Sequence, residues 1–297
     1  MRAGGTWRVG GVRVTAVVEA EFWMPADVLL ATHSADRLAD LAGWLRPDHL
    51  RGADELGMTY QSLLVESRGA RIVVDTCRGN DRQLPNGRGV LDTDFLARLD
   101  RLVDRATVDH VVCTHLHYDH VGWNTMLVDG RWEPTFPRAR YLFSRKDFEH
   151  WSGHDADPNV DLLLAVEPIV EAGRHEFVGH GHRINDEVSL IGTPGHSPGH
   201  LSVWIESEGE RGWITGDVVH HPVQLVEPEW HSRADVSPAD AVATRRAMID
   251  RVLDEGVAVI GTHFAAPAVG FLVSDDRWGS RLLAGTSEKK SDSIRIP

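Results

Sequence analysis

The sequence has little cysteine and no long uninterrupted apolar segment. Its 297 residues include two cysteines, Cys77 and Cys113, and each lies at the end of an apolar run. This usage is typical of small buried side chains in a reducing compartment, so we expect a cytoplasmic protein without disulfide bonds. Apolar runs stay short of the roughly 18–20 residues that cross a bilayer. No apolar segment follows the basic start of the chain, so we expect neither a membrane partner nor a signal peptide.

Positive charge is also scarce. The chain has 44 acidic residues but only 31 lysines and arginines, which gives a formal charge of −13. This balance repels phosphate backbones, so we expect no nucleic-acid partner, although a local basic patch is compatible with it. Histidine and tryptophan, in contrast, are abundant, with 17 and 10 residues. Both are commoner around metal sites and ligand clefts than in plain cores, but their numbers alone identify no site.

The organisation of the chain predicts one domain over residues 1–297, because no low-complexity linker or internal repeat divides it. Predicted strands outnumber helices, and the helices separate two strand-rich halves. We therefore expect an α/β protein in which two β-sheets pack face to face with helices outside. Residues 23–58 lack strand character and are predicted as a loop-and-helix excursion, with helical spacing at residues 35–45. A loose polar tail is expected from residue 286.

Short alternating or apolar segments predict the strands. They include residues 12–22, 61–66, 71–76, 188–191, 201–206, 212–214 and, as the last strand, 257–260. A hairpin-type turn joins the second and third of these segments. The clearest helix is predicted over residues 238–255, with a proline in its first turn and Gly256 as its stop.

The densest group of metal-binding residue types directly follows the apolar run 108–113. It contains His115, His117, Asp119 and His120, three histidines and one aspartate within six residues. In an extended segment His115 and His117 point to the same side and can bind one ion, while a turn at Asp119 would aim the other two at a second ion. Imidazole and carboxylate together suit zinc, manganese or iron better than calcium or magnesium. We interpret this segment as half of a two-metal hydrolytic site.

Three further segments place metal-binding residue types just past predicted strands. Residues 192–200 form a glycine- and proline-rich loop that contains His196 and His200. Asp217 and His263 each follow a short apolar strand, and the two oxygens of Asp217 could bridge two metals. Because all these side chains lie beyond the carboxyl ends of strands, we expect them to converge at one edge of the sheets.

The order HxHxDH, TPGHSPGH, GD and GTH resembles the metallo-β-lactamase superfamily over residues 61–263. The resemblance implies an αββα sandwich of two mixed β-sheets flanked by helices. It also implies two divalent metal ions, zinc in the first place, with manganese, iron or cobalt as alternatives. One ion would take His115, His117 and His196, and the other Asp119, His120 and His263, with Asp217 bridging them. Asp75 would support the site from behind its ligands, and His200 would be structural rather than a ligand.

Among dinuclear members, the sequence resembles the quorum-quenching acyl-homoserine lactonases and methyl parathion hydrolase. This implies cleavage of a lactone or other carboxylic ester by a hydroxide between the metals, with Asp119 passing a proton to the leaving alkoxide. Such lactonases have a tyrosine three residues after the bridging aspartate, where this chain has His220. His220 is therefore the predicted hydrogen-bond donor to the developing oxyanion. Tyr118 is the weaker candidate, because a residue between two ligands often faces away.

Other chemistries remain open at this stage, since the same fold supports several of them. The alternatives are a phosphotriester hydrolase, a thioester hydrolase of the glyoxalase II type and an iron-dependent persulfide oxygenase. A nuclease for tRNA 3′ ends is disfavoured by the acidic balance. A non-catalytic metal-binding protein is the last alternative, and it requires that the metal-loaded chain cleave none of these substrates.

Substrate choice is expected to depend on three parts of the chain: residues 23–58, residues 223–236 and the neighbourhood of Phe264. Four aromatic residues are candidate walls of an apolar pocket, with core packing as the alternative for the tryptophans: Trp23, Trp123, Trp230 and Phe264. The expected partner is a small ester or lactone. A homodimer formed through residues 23–58 is a family-level expectation.

Overall fold

The larger of two β-sheets has eight strands in the computed structural model, which describes residues 5–83, 90–152 and 162–285. The strands are β1 (Thr6–Val9), β2 (Val12–Pro25), β3 (Leu50–Arg51), β4 (Glu55–Ser67), β5 (Ala70–Val74), β6 (His110–Val112), β9 (Arg140–Ser144) and β10 (His175–Val178). Their order is β1-β2-β4-β5-β6-β9-β10, and β3 pairs with β4. The pairs from β1 to β5 are antiparallel, whereas β5, β6, β9 and β10 run parallel, so the sheet is mixed.

The second sheet has six strands in sequence order. They are β11 (Val188–Gly192), β12 (Leu201–Ser207), β13 (Glu210–Ile214), β14 (Val257–Ile260), β15 (Val269–Asp275) and β16 (Gly279–Ala284). Only the pair of β13 and β14 is parallel among these strands, so this sheet is mixed as well. A separate hairpin consists of β7 (Thr125–Val128) and β8 (Arg131–Pro134).

The helices are short apart from two. They are α1 (Ala26–Leu29), α2 (Ala35–Leu45), α3 (Phe95–Leu99), α4 (Tyr118–Val121), α5 (Arg145–Ser152), α6 (Leu162–Ala165), α7 (Glu167–Glu171) and α8 (Pro238–Val252). In the described ranges, single turns of 3₁₀ helix are Arg105–Thr107, Gly122–Asn124, Gly216–Val218 and Pro222–Leu225. Within the described ranges no helix combines the length and the apolar character that crossing a membrane would require.

Three apolar layers show how the sheets and helices pack. Between the sheets lie residues of both, among them Val14, Val65, Val74, Val112, Val203, Ile205, Ile214 and Ile260. Phe95 and Leu99 of α3 belong to the layer on the outer face of the first sheet. Met248 and Ile249 of α8 belong to the layer on the outer face of the second sheet. The order helix, sheet, sheet, helix confirms the predicted αββα sandwich.

The predicted local elements are largely confirmed. The turn between β4 and β5 has positive φ at Arg68 and Gly69, 52° and 83°, as a two-residue hairpin requires. Helix α2 spans the predicted residues 35–45, and α8 ends three residues before its predicted end at Glu255. Cys77 and Cys113 are buried and free.

Two predictions about strands are wrong, and one segment lies outside the described residues. Strand β14 is not the last, because β15 and β16 follow it at the sheet edge. The excursion at residues 23–58 is bordered by strands at both ends, since Trp23 pairs with Gly57 and Pro25 with Glu55. The ends of this segment do not show the polar–apolar alternation of a strand, because several of its apolar residues line a cavity. The tail from residue 286 is not described.

A glycine allows the two halves of the site-bearing edge to approach. A Cβ on Gly122 would lie 1.8 Å from the Arg78 carbonyl oxygen, and its N–H donates to the Cys77 carbonyl at 2.8 Å. The N–H of Thr76 donates to the His120 carbonyl at 2.7 Å. These contacts join the segment after β5 to helix α4, so the segments that carry Asp75 and His120 are held together.

Replacing Gly122 with alanine is expected to lower the free energy of unfolding by about 2 kcal/mol or more, because backbone atoms would have to move apart. The matched control is Gly179→Ala, where nothing lies within 4 Å of an added Cβ. That control is expected to change stability by no more than about 0.5 kcal/mol. Denaturant unfolding measures both, and equal stability of the two variants would contradict the described close approach.

Candidate metal centre

The predicted metal ligands lie together in two groups. His115, His117, His196 and Asp217 form the first group, in which the ligand atoms lie within 4.8 Å of one another. Asp119, His120 and His263 form the second group under the same limit. The groups meet because parallel strands end at the same edge: β5 and β6 in one sheet, β13 and β14 in the other.

The nitrogens of the first group are arranged as ligands of one ion would be. His115 Nε2 and His117 Nδ1 are 3.0 Å apart, and His196 Nε2 lies 3.2 Å and 3.0 Å from them. A tetrahedral zinc ion about 2.0–2.1 Å from each nitrogen sets neighbouring nitrogens about 3.3 Å apart. The three imidazoles therefore fit a single ion.

The second group joins the first through Asp217. His120 Nε2 and His263 Nε2 are 3.0 Å apart. Asp119 Oδ1 lies 3.8 Å from His120 Nε2, and Asp119 Oδ2 lies 3.7 Å from His263 Nε2. Asp217 Oδ2 lies 3.3 Å from the Nε2 atoms of both His120 and His196, while Oδ1 lies 3.2 Å from His263 Nε2. One carboxylate thus faces both groups.

In four of the imidazole rings, a hydrogen bond at Nδ1 orients the ring so that its Nε2 faces the site. The pairs are His115 Nδ1 with Thr114 Oγ1 (3.1 Å), His120 Nδ1 with Asp75 Oδ2 (2.8 Å), His196 Nδ1 with Asp235 Oδ1 (2.8 Å) and His263 Nδ1 with the Thr59 carbonyl (2.7 Å). A neutral ring that donates from Nδ1 keeps a lone pair on Nε2. Such outer partners orient metal-binding imidazoles and fix their tautomer.

The histidines of the two ligand groups differ in the direction of their pKa shifts. Burial holds the pKa of His115 and His117 well below the usual range, so these rings are neutral. Burial also disfavours charge on His120 and His263, but Asp217 and its fellow carboxylates outweigh it and raise both pKa values. Burial alone would raise the pKa of Asp217, but the surrounding imidazoles outweigh burial and hold this pKa well below its usual range. The centre therefore favours positive charge beside its carboxylates.

Two other histidines near Asp217 have different contacts. His200 Nε2 accepts from the Asp217 N–H at 2.9 Å, and its Nδ1 is 2.8 Å from Thr193 Oγ1, so both nitrogens are occupied. Burial lowers the pKa of His200 to about 3. His200 thus holds the loop of Asp217, as expected. His220 Nε2 is 3.2 Å from Asp217 Oδ2, whereas its buried Nδ1 has no hydrogen-bond partner in the described part of the chain.

A cavity of about 380 Å³ opens onto both groups. Its lining residues are Phe22, Met24, Val28, Leu29, Met58, Tyr60, His117, Tyr118, Asp119, His196, Asp217, His220, Ser232, Arg233, Ala234 and His263. The excursion and residues 232–234 thus supply the walls that were predicted for residues 23–58 and 223–236. The side chain of Asp119 is 16% exposed, which makes this carboxylate accessible from the cavity.

The four predicted aromatic walls are wrong. Trp123 stacks on Phe95 at 6.0 Å between ring centroids and donates from Nε1 to Glu19 at 2.7 Å. Trp230 and Phe264 are buried in apolar clusters, and Trp23 lies against the Arg51 guanidinium outside this cavity. Trp123, Trp230 and Phe264 pack in the core, whereas Phe22, Tyr60 and Tyr118 line the cavity, so aromatic composition could not tell core from cavity.

Comparison with known proteins identifies the family. The model of the metallo-beta-lactamase superfamily matches residues 57–263. The chain belongs to this superfamily. It is 25% identical over 207 residues to the N-acyl homoserine lactonase AiiA of Bacillus thuringiensis subsp. kurstaki, which covers 64% of this chain and 72% of that protein.

Two solved structures share the fold of this superfamily protein over nearly its whole length. The hydrolase AbOPH superimposes with a TM-score of 0.78 at 22% identity, covering 96% of this chain and 98% of the other. The dizinc quorum-quenching lactonase AidC gives 0.76 at 18% identity, with the same coverage. The chain is therefore a hydrolase of the metallo-beta-lactamase superfamily with lactonases among its relatives.

Within this superfamily site, the sequence did not indicate Asp235, and the Tyr118 side chain does not face away from the site as expected. Asp235 lies 39 residues beyond His196 in an irregular loop, and no motif surrounds it. Its other oxygen accepts from the Ser232 N–H at 2.9 Å, and the buried Arg245 guanidinium lies 3.7 Å away. Tyr118 lines the cavity because helix α4 begins there, which ends the extended alternation.

Asp235→Asn is expected to weaken metal binding at the first group by about 10–100-fold, because His196 loses the charged carboxylate that orients it and the new amide NH2 must face either the His196 Nδ1–H or the Ser232 N–H. The matched control is Asp240→Asn, an exposed residue of helix α8. Retained metal is measured by elemental analysis after dialysis against graded chelator. Equal retention by both variants would show that Asp235 does not orient His196 for binding.

Proposed function

We propose that the chain is a dinuclear metal-dependent hydrolase that cleaves a lactone or another carboxylic ester. The observation that carries this proposal is the pair of ligand groups that share Asp217 at the floor of one cavity. His115, His117 and His196 would hold one ion, and Asp119, His120 and His263 the other, with Asp217 between them. The ligand set suits zinc first, with manganese, iron or cobalt as alternatives.

The metal ions, when bound, lower the pKa of water and polarise the oxygen of the scissile group. The protein positions the substrate through the apolar wall formed by Phe22, Met24, Leu29 and Met58. This wall suits an ester with an acyl chain, in agreement with the lactonases among the relatives. The partly exposed carboxylate of Asp119 is placed to pass a proton to the leaving alkoxide.

Two side chains in the cavity could donate a hydrogen bond to the developing oxyanion. His220 is the donor that the sequence predicts, but a neutral imidazole has one N–H, and Asp217 Oδ2 lies 3.2 Å from its Nε2. Tyr118 has a hydroxyl of its own, and the charge of Asp119 together with burial raises its pKa to about 12. Tyr60 hydrogen-bonds to Tyr118, and the Arg78 guanidinium lies 4.4 Å from its ring centroid. We propose Tyr118 as the main donor, with His220 holding Asp217.

A substrate panel tests the reaction class. Zinc-loaded and manganese-loaded protein is assayed with acyl lactones, aryl esters, a phosphotriester and S-lactoylglutathione. The expected result is that kcat/KM for lactones or carboxylic esters exceeds the others by about tenfold or more, a difference of at least 1.4 kcal/mol in transition-state binding. A preference for the phosphotriester or the thioester would contradict the proposal and support one of the two alternative hydrolases.

Tyr118→Phe is expected to reduce kcat by about 10²-fold, as the loss of one oxyanion donor does, with little change in KM. His220→Gln is the comparison, because an amide can still donate to Asp217, and a loss of less than about tenfold is expected. Kinetics and metal content are measured for both variants. The opposite ranking, at unchanged metal content, would make His220 the donor.

A further inference from the structure

A row of charged residues crosses four neighbouring strands of the first sheet. Arg8 on β1 pairs with Arg13 on β2, Arg13 with Glu66 on β4, and Glu66 with Arg71 on β5. Directly paired residues point to the same face of a sheet, so the four side chains stand side by side. Because Val12 and Val14 face the other sheet, this row lies on the outer face.

The row lines a concave surface of about 340 Å³ together with the hairpin turn that contains Arg68. Four arginines and one glutamate contribute their charges there. Glu66 is fully engaged by Arg13, with Nε and Nη2 at 2.7 Å and 2.8 Å from its two oxygens. A surplus of positive charge therefore remains in this concavity, although the chain as a whole carries −13.

Two of the arginines supply most of this surplus. In the ranges described, the guanidinium groups of Arg8 and Arg71 have neither a hydrogen bond nor an ion pair, and both residues are exposed. Arg68 Nε lies 3.5 Å from Glu187 Oε1, which neutralises it in part. Like charges that face each other across strands are destabilising, so the pairing of Arg8 with Arg13 is a local cost that a bound anion would relieve.

We propose that Arg8, Arg13, Arg68 and Arg71 form a binding site for a small, multiply charged phosphate compound. The guanidinium fork matches phosphate oxygens, and adjacent strands about 4.8 Å apart space the forks for neighbouring phosphoryl groups. The size of the concavity is that of a small-molecule site.

Acidic residues around the concavity favour a compact ligand over a long polyanion. Asp109 accepts from the Arg71 N–H at 2.8 Å, Glu210 accepts from the Gly10 N–H at 2.9 Å, and Glu187 lies beside Arg68. These carboxylates border the row, so a nucleic acid that extends past it would meet like charge.

This site is separate from the proposed catalytic centre. Arg71 lies at the start of β5 (Ala70–Val74), next to the hairpin turn. Asp75 directly follows the other end of that strand. Among the residues that the structure describes, none lines both this concavity and the cavity above the ligand groups. The inference therefore holds or fails independently of the proposed hydrolysis.

The test is calorimetric titration of the metal-loaded protein with sodium tripolyphosphate at low and moderate salt. We expect saturable binding that weakens as salt rises, because exposed charges are screened. The variant Arg8→Gln/Arg71→Gln is expected to bind about tenfold more weakly or worse, since charge-assisted hydrogen bonds are lost. The matched control, Arg101→Gln/Arg138→Gln, removes the same charge from exposed residues elsewhere and is expected to bind like the wild type.

Three results would overturn the proposal. Equal binding by the Arg8→Gln/Arg71→Gln variant would place the anion elsewhere, for example at the metal centre. Equal weakening in the control variant would show that only net charge matters. Tighter binding of a single-stranded oligonucleotide than of tripolyphosphate, with the same dependence on Arg8 and Arg71, would show a nucleic-acid site instead. Thermal unfolding of each variant verifies that the fold is retained.

Discussion

Asp217 is the side chain on which the centre depends. A buried carboxylate is costly unless charge or hydrogen bonds compensate it, and here imidazole nitrogens of both sheets' loops surround it. Those nitrogens also face one another at 3.0 Å to 3.2 Å, an arrangement that a shared cation stabilises. The carboxylate and the lone pairs together explain why so many polar side chains can be buried at one edge of the sandwich.

Strands of both sheets end at that edge, which brings the imidazole side chains around Asp217. Asp75 follows β5, His115 follows β6, Asp217 follows β13 and His263 follows β14. Outer hydrogen bonds then fix the rings: Asp75 orients His120, and Asp235 orients His196. The cavity walls come from different parts of the chain, the excursion between β2 and β4 and residues 232–234, so substrate choice can vary without disturbing the ligands.

The ligand-bearing segments could be predicted because their metal-binding residues lie close together in the sequence or directly follow apolar strands. His115, His117, Asp119 and His120 lie within six consecutive positions, and apolar strands precede each of the other ligands. Asp235 could not be predicted in this way, because its role depends on a contact with His196 across 39 residues. The segments that form the cavity walls were predicted, but their individual side chains were not, because Phe22 and Met58 meet only through the pairing of β2 with β4. The single domain, the homodimer and the cytoplasmic location stay predictions.

The most direct test of the two-metal account is the number of ions that each chain binds. Elemental analysis and competitive metal titration are done on wild-type protein and on Asp217→Asn. The account predicts about two transition-metal ions per wild-type chain, one for each ligand group, and a loss of at least one in the variant. A wild-type chain that saturates with one ion, or a variant that retains two with unchanged affinity, would contradict it.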